Sequence, residues 1–138
     1  MKTTGGKGLH VVVPLARRHD WAEMKGFARG IAADLARRLP DAFTVNSARA
    51  ARSGKIYLDY LRNGRGATAV AAYSVRGRPG APVSVPLSWT ELGGSPLDFT
   101  VRTVPQRLAG LRSDPWRGLT TFRQSITSAM RRSLRLSG

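Results

Sequence analysis

The chain has 138 residues, enough for one domain with a real core and too few for two comfortable ones. Its 23 Lys and Arg against 8 Asp and Glu leave a net charge of +15, and 41% hydrophobic residues place that charge on a folded body rather than a disordered tail. With no cysteine, the sequence excludes disulfides, thiolate metal sites and a cysteine nucleophile, and its two histidines are too few for the usual zinc ligand sets.

A charge of this sign points to a polyanionic partner, nucleic acid first through counterion release and an anionic membrane surface second; composition alone does not separate them. No run approaches the roughly 18 apolar residues of a membrane span, and no apolar signal region opens the chain, so a soluble cytoplasmic protein that contacts no membrane is expected. Arginine outnumbers lysine and is dispersed, which suits forked contacts to phosphate. An arginine-rich codon usage would give the same count.

Residues 3–14, Thr-Thr-Gly-Gly-Lys-Gly-Leu-His-Val-Val-Val-Pro, join a glycine-rich, lysine-bearing turn directly to a strongly apolar strand with His10 at its mouth. Gly5, Gly6 and Gly8 allow positive φ and close approach of a ligand, and Lys7 adds charge. An ordinary tight turn would use the same glycines. Asp20 followed by Glu23 has the form of a capping box, so a helix is predicted from Trp21 to Pro40, with Met24, Phe27, Ala28, Ile31 and Leu35 on its apolar face. Gly26 and Gly30 within it suggest close packing against a sheet. A short strand at 43–45, a basic connection carrying Arg49, Arg52 and Lys55, and an apolar strand at 56–61 follow.

Residues 68–75 are apolar and undecided between strand and helix. A stiffened loop at 76–82 carries Arg76 and Arg78, 83–89 reads as extended, and 88–92 as a helical turn. The alternation at 99–104 predicts a half-exposed strand, Pro105 a short helix through Leu108, and Asp114-Pro115-Trp116 a last helical segment with Leu119, Phe122, Ile126 and Met130 on one face. The basic residues after 124 form a frayed tail in this reading.

Among the acids, Asp20, Glu23 and Asp114 suit helix starts, and Asp34, Asp41, Glu91 and Asp98 fall on polar faces or in loops. Asp59 alone interrupts an apolar strand, where an ionised carboxylate needs a partner. Two partners fit the pattern, an arginine such as Arg62 or a divalent metal ion.

The segments at 5–15 (Gly-Gly-Lys-Gly-Leu-His-Val-Val-Val-Pro-Leu), 55–63 (Lys-Ile-Tyr-Leu-Asp-Tyr-Leu-Arg-Asn), 65–76 and 79–89 stand in one order, followed by Phe99-Thr100-Val101-Arg102 and Asp114-Pro115-Trp116. In that order they resemble the polymerase domain of bacterial ATP-dependent DNA ligase D, an archaeo-eukaryotic primase type of nucleotidyltransferase used in non-homologous end joining. The resemblance implies an α+β fold, a partial primase-polymerase (RRM-like) sheet with packed helices. Residues 1–124 would be the C-terminal portion of the domain and 125–138 a basic tail. It further implies that Thr4 and His10 contact the triphosphate of an incoming nucleotide with Gly5, Gly6 and Lys7. Asp59 would hold Mn²⁺ or Mg²⁺, and Arg62 and Arg76 would approach the phosphates. His10 and Asp59 would be the catalytic pair, with DNA and nucleoside triphosphates as partners.

The family pattern also contains an Asp-x-Asp pair upstream of the glycine turn, supplying two further metal carboxylates, and this sequence has none. The chain alone is therefore expected to be inactive as a polymerase, the N-terminal part of the domain being absent and a second chain a candidate to supply it. A non-catalytic DNA- or nucleotide-binding module and a nonfunctional remnant are the alternatives.

Overall fold

The computed structural model describes residues 1–136 as two compact units, Met1–Pro14 with Val70–Arg123, and Leu15–Ala69 with the residues from Gln124 onward. The last two residues of the proposed basic tail lie outside the described residues.

In the first unit, β1 (Lys2–Thr3) and β2 (Leu9–His10) pair antiparallel, Lys2 opposite His10 and Thr3 opposite Leu9, across the glycine turn. Residues 83–87 run beside β1: the Thr3 N–H donates to the Val85 carbonyl at 2.9 Å and the Leu87 N–H to that of Met1 at 3.1 Å. Val83, Val85 and Leu87 enter a core with Met1 and Val104, against which Phe99 packs. Ser84 and Pro86 between them are buried too, so the stretch turns no face to water. Pro82 and Pro86 lack an N–H to donate, and each joins its neighbour only as an isolated bridge, Pro82 to Thr100 and Pro86 to Lys2.

Helix α2 (Val104–Gly110) seats Val104 in this core and places Pro105 in the first turn, where its missing N–H leaves no helical bond unmade. Its Arg107 donates from Nε and Nη2 to Glu91 Oε1 at 2.9 and 2.7 Å and from Nη2 to the Pro86 carbonyl at 2.9 Å. Glu91 closes the 3₁₀ turn Trp89–Glu91 in a capping box with Ser88. Burial pushes the Glu91 carboxyl up, but the Ser88 amide and the Arg107 guanidinium outweigh it and hold the group below the ordinary carboxylate value.

Two expectations for this unit change. The alternating stretch at 99–104 is no strand, since the Thr103 hydroxyl donates to the Asp98 carbonyl at 2.6 Å and accepts from the Thr100 N–H at 2.9 Å, curling the chain into α2. β2 ends after His10, leaving Val11 66% and Val13 59% exposed.

Tyr73 sits at φ 61 and donates its hydroxyl to Asp114 Oδ2 at 2.6 Å. Burial, then the hydrogen bond and charge of Asp114, push its pKa up to about 12. A pKa raised in the folded state means stability is fully present below the unfolded value of 10.0 and lost as pH rises toward about 12. Denaturation midpoints should therefore fall across that window, and Tyr73→Phe should flatten the fall; an equally steep decline in the variant would assign it to other groups.

In the second unit, α1 (Trp21–Arg38) starts as predicted. The Asp20 carboxylate accepts from the Glu23 N–H at 2.8 Å, and Glu23 returns the bond to the Asp20 N–H at 3.0 Å. Asp20→Ala should cost about 1 kcal/mol of stability, measured by thermal melting. Glu23 also pairs with Arg131 at 2.8 Å, just before the end of α3 (Ser128–Ser133), and the Ile126 N–H donates to His19 Nε2 at 3.3 Å. β3 (Phe43–Thr44) and β4 (Ile56–Tyr57) pair in parallel, Phe43 with Ile56 and Thr44 with Tyr57.

The apolar face of α1 is only partly covered: Met24, Phe27 and Ala28 are half-buried, whereas Ile31 and Leu35 stay exposed and Gly30 and Ala32 are the buried positions. Gly30 packs on a side chain and not on a sheet, since a Cβ there would lie 2.9 Å from Leu136 Cδ1, and Gly26 meets nothing within 4 Å. The segment from Asp114 is not one helix. Gly118 at φ 80 breaks the right-handed run, leaving a 3₁₀ turn at Leu119–Thr121 and α3 further on.

Candidate functional site

In the first unit, the turn at 4–8 is closed by Thr4, whose N–H and hydroxyl both donate to the Gly8 carbonyl at 3.1 and 3.0 Å. Gly5 lies at φ 63, and a Cβ on it would collide with the Arg76 side chain. Only glycine meets both demands, a left-handed backbone and an arginine stem laid across it. A Cβ on Gly6 would come within 3.2 Å of Arg78 Nη1. Gly5 and Gly6 are buried, yet no group among the described residues accepts from the Gly5, Gly6 or Lys7 amides. Buried amides of a native protein are nearly always paired, so the two at Gly5 and Gly6, continued by the exposed Lys7 amide, are donors directed at no protein group.

Arg76 is half-buried and donates from Nη1 to the Thr4 carbonyl at 3.3 Å, so its guanidinium is anchored on the turn. The loop behind it is a tight excursion held by the Arg76 N–H on the Pro82 carbonyl at 2.8 Å and the Ala81 N–H on the Arg78 carbonyl at 2.9 Å. Lys7 is exposed at the apex, and His10, half-buried, stands opposite Lys2 in the strand pair. The unit thus brings Thr4, Gly5, Gly6 and Arg76 into one arrangement and adds Arg78. That last residue was visible in the sequence as a loop arginine, but its place over Gly6 depends on the non-local closure of 76–82.

In the second unit, Asp59 follows the strand instead of interrupting it. β4 stops at Tyr57, and the chain turns into the 3₁₀ segment Leu61–Asn63. Asp59 Oδ1 accepts from the Leu61 N–H at 3.0 Å, an Asx-type turn that opens this segment. Its Oδ2 faces Arg62 Nε at 3.5 Å, and Arg62 Nη1 donates to the Thr68 carbonyl at 3.3 Å. With the Asp59 side chain 37% exposed, the contact is a solvated ion pair of small energetic worth.

The donor set for metal is thin. Among the described residues no three His, Cys, Asp or Glu side chains gather as a metal group, and Asp59 offers one carboxylate already engaged by an amide and an arginine. A Mn²⁺ or Mg²⁺ centre for nucleotidyl transfer needs more oxygen ligands than that, so the described residues alone do not fit the metal site that the resemblance implied.

A family profile for the LigD primase-polymerase domain matches residues 1–116. The chain belongs to that family. It is 51% identical over 137 residues to the multifunctional non-homologous end joining protein LigD of Pseudomonas aeruginosa, a match covering 97% of this chain and 16% of that protein. The Bacillus subtilis bifunctional non-homologous end joining protein LigD is 34% identical over 110 residues, 78% of this chain and 18% of its own length. Among solved structures, the polymerase domain from Mycobacterium tuberculosis ligase D in complex with DNA superposes with a TM-score of 0.64 at 25% identity, over 76% of this chain and 37% of that one. The chain thus spans less than a fifth of these LigD proteins and little more than a third of the solved domain. The mixed helix-and-sheet fold expected from the sequence is the one this family has, and among the described residues no helix is long and apolar enough to cross a membrane.

Proposed function

We propose that this chain is part of a LigD-type polymerase domain serving non-homologous end joining of DNA, and that the turn at 4–8 binds the triphosphate of a nucleoside triphosphate. The observation that carries the reading is the turn itself: three successive amides without a protein acceptor, a glycine that admits no side chain, and Arg76 and Arg78 laid against it. In this reading Thr4, Gly5, Gly6, Lys7, His10 and Arg76 take the phosphates, and Arg62 and Asp59 serve the metal side of the reaction. Residues 1–124 belong to the domain and 125–138 are its basic C-terminal tail, which pairs with α1 through Arg131 and Glu23. DNA follows the +15 surface by counterion release.

Nucleotidyl transfer needs Mn²⁺ or Mg²⁺ ligands beyond Asp59, so the chain binds without catalysing until a segment carrying two further carboxylates joins it. The test is ATP binding by the chain alone, followed by primer extension on a recessed DNA end with Mn²⁺, with and without an Asp-x-Asp-bearing N-terminal segment of the family. Binding with extension only in the presence of that segment is expected. Extension by the chain alone would overturn the inactivity, and failure to bind ATP would overturn the nucleotide site. DNA binding that survives without ATP binding would favour the second reading, a DNA-binding module, for which the net charge of +15 suffices.

A further inference from the structure

Lys2 has no role in the scheme above, yet it is the most deeply placed cation of the first unit, 4% exposed. Its Nζ donates to the Val70 carbonyl at 2.6 Å and to Ser84 Oγ at 2.9 Å, two neutral acceptors. Among the described residues no carboxylate pairs with it. A buried charge without a counter-charge is expensive, and a lysine serving only as a tether could be replaced by a neutral donor. The Ser84 hydroxyl passes the connection on by donating to the Thr3 carbonyl at 2.6 Å, so the ammonium, β1 and the residues leading into the glycine turn form one hydrogen-bonded line.

We propose that Lys2 is a positioning residue of the nucleotide site, a buried cation whose missing counter-charge is the anion held by the neighbouring glycine turn and Arg76. The inference rests on the nucleotide reading above and deepens it. Burial lowers the Lys2 pKa from 10.5, and the charge of Arg76 lowers it further. An anion neutralising Arg76 removes that second cause and adds attraction of its own, so binding raises the affinity of Lys2 for its proton. By linkage the reverse holds as well, and a protonated Lys2 strengthens anion binding. The other ionisable groups on the segments that meet it are His10 opposite it on β2, Tyr73 three residues beyond its Val70 acceptor and the Met1 amine just before it in the chain; residues 83–87 contribute none. Of these, Tyr73 is pushed up to about 12, and Lys2→Met leaves all three in place.

Calorimetric titration of the full chain with ATP, in two buffers of different ionisation enthalpy at about pH 9, reads the proton uptake directly. The wild type should take up a fraction of a proton and lose affinity as pH rises toward 10.5. Lys2→Met should bind ATP about tenfold more weakly near neutral pH and lose the uptake, while Lys2→Arg should retain the affinity without it. A Lys2→Met chain that keeps both affinity and uptake overturns the inference while leaving the nucleotide site intact. A wild type that binds no ATP overturns the site and the inference together. Should Lys2→Met fail to fold, the Lys2 side-chain resonance of the wild type decides, because a pKa that ATP does not raise overturns the proposal.

Discussion

Replacing Arg76 by alanine is expected to weaken ATP binding by about 10- to 100-fold while leaving the chain folded. The guanidinium is held by the protein itself, through its bond to the Thr4 carbonyl and its stem across Gly5, so its geometry is set before a ligand arrives. A charge-assisted bond to phosphate contributes about 1.5 to 3 kcal/mol, which corresponds to that range of affinity. Arg76→Lys should recover only part of the loss, because an ammonium supplies charge without the fork. Lys7→Ala, by contrast, removes an exposed cation at the apex and should cost a few-fold at most at ordinary salt. A titration in which Arg76→Ala and Lys7→Ala are equally mild would show that the turn is no phosphate site. A melting temperature close to that of wild type separates the loss of binding from loss of the fold.

The features legible in the sequence are those that depend on neighbours a few residues apart. The Asp20–Glu23 box, the Gly5 turn and Pro105 at the start of α2 each solve a local backbone problem with a residue type suited to it. Periodicity misled where a long-range contact or a single glycine decided the outcome. Residues 56–61 alternate like a strand, but the bonding to β3 stops at Leu58, and Asp59 folds back on the Leu61 amide, so the apparent misplaced charge is a turn residue. The stripe running on from Asp114 looked helical until Gly118 adopted φ 80. Arg78 and Lys2 acquire their importance from partners dozens of residues away, at Gly6, Val70 and Ser84, and nothing in their own neighbourhoods announces it.

The largest effect on stability is expected from Thr3→Val, a substitution that preserves shape and removes one hydroxyl. Thr3 is fully buried; its Oγ1 donates to the Val83 carbonyl at 3.0 Å and accepts from the Val85 N–H at 2.9 Å. Valine fills the same volume, so no cavity opens, but two buried backbone groups lose their partner where Val85 is 0% exposed and water cannot replace it. Each orphaned group costs about 1–3 kcal/mol, so the pair should cost about 2–6 kcal/mol and lower the melting temperature by on the order of 10 °C or more. Thr3→Ser keeps the hydroxyl and loses a methyl, and should be the milder change even though it alters packing more. The order of the two variants distinguishes the causes: if serine proves worse than valine, the first unit is held at this point by packing, and if valine proves worse, by the bond that fastens β1 to 83–87. Because β1 also leads into the glycine turn, hydrogen exchange at the Val85 amide should speed up in Thr3→Val together with a loss of ATP affinity. Faster exchange with unchanged affinity would mean that the turn keeps its shape without the strand behind it.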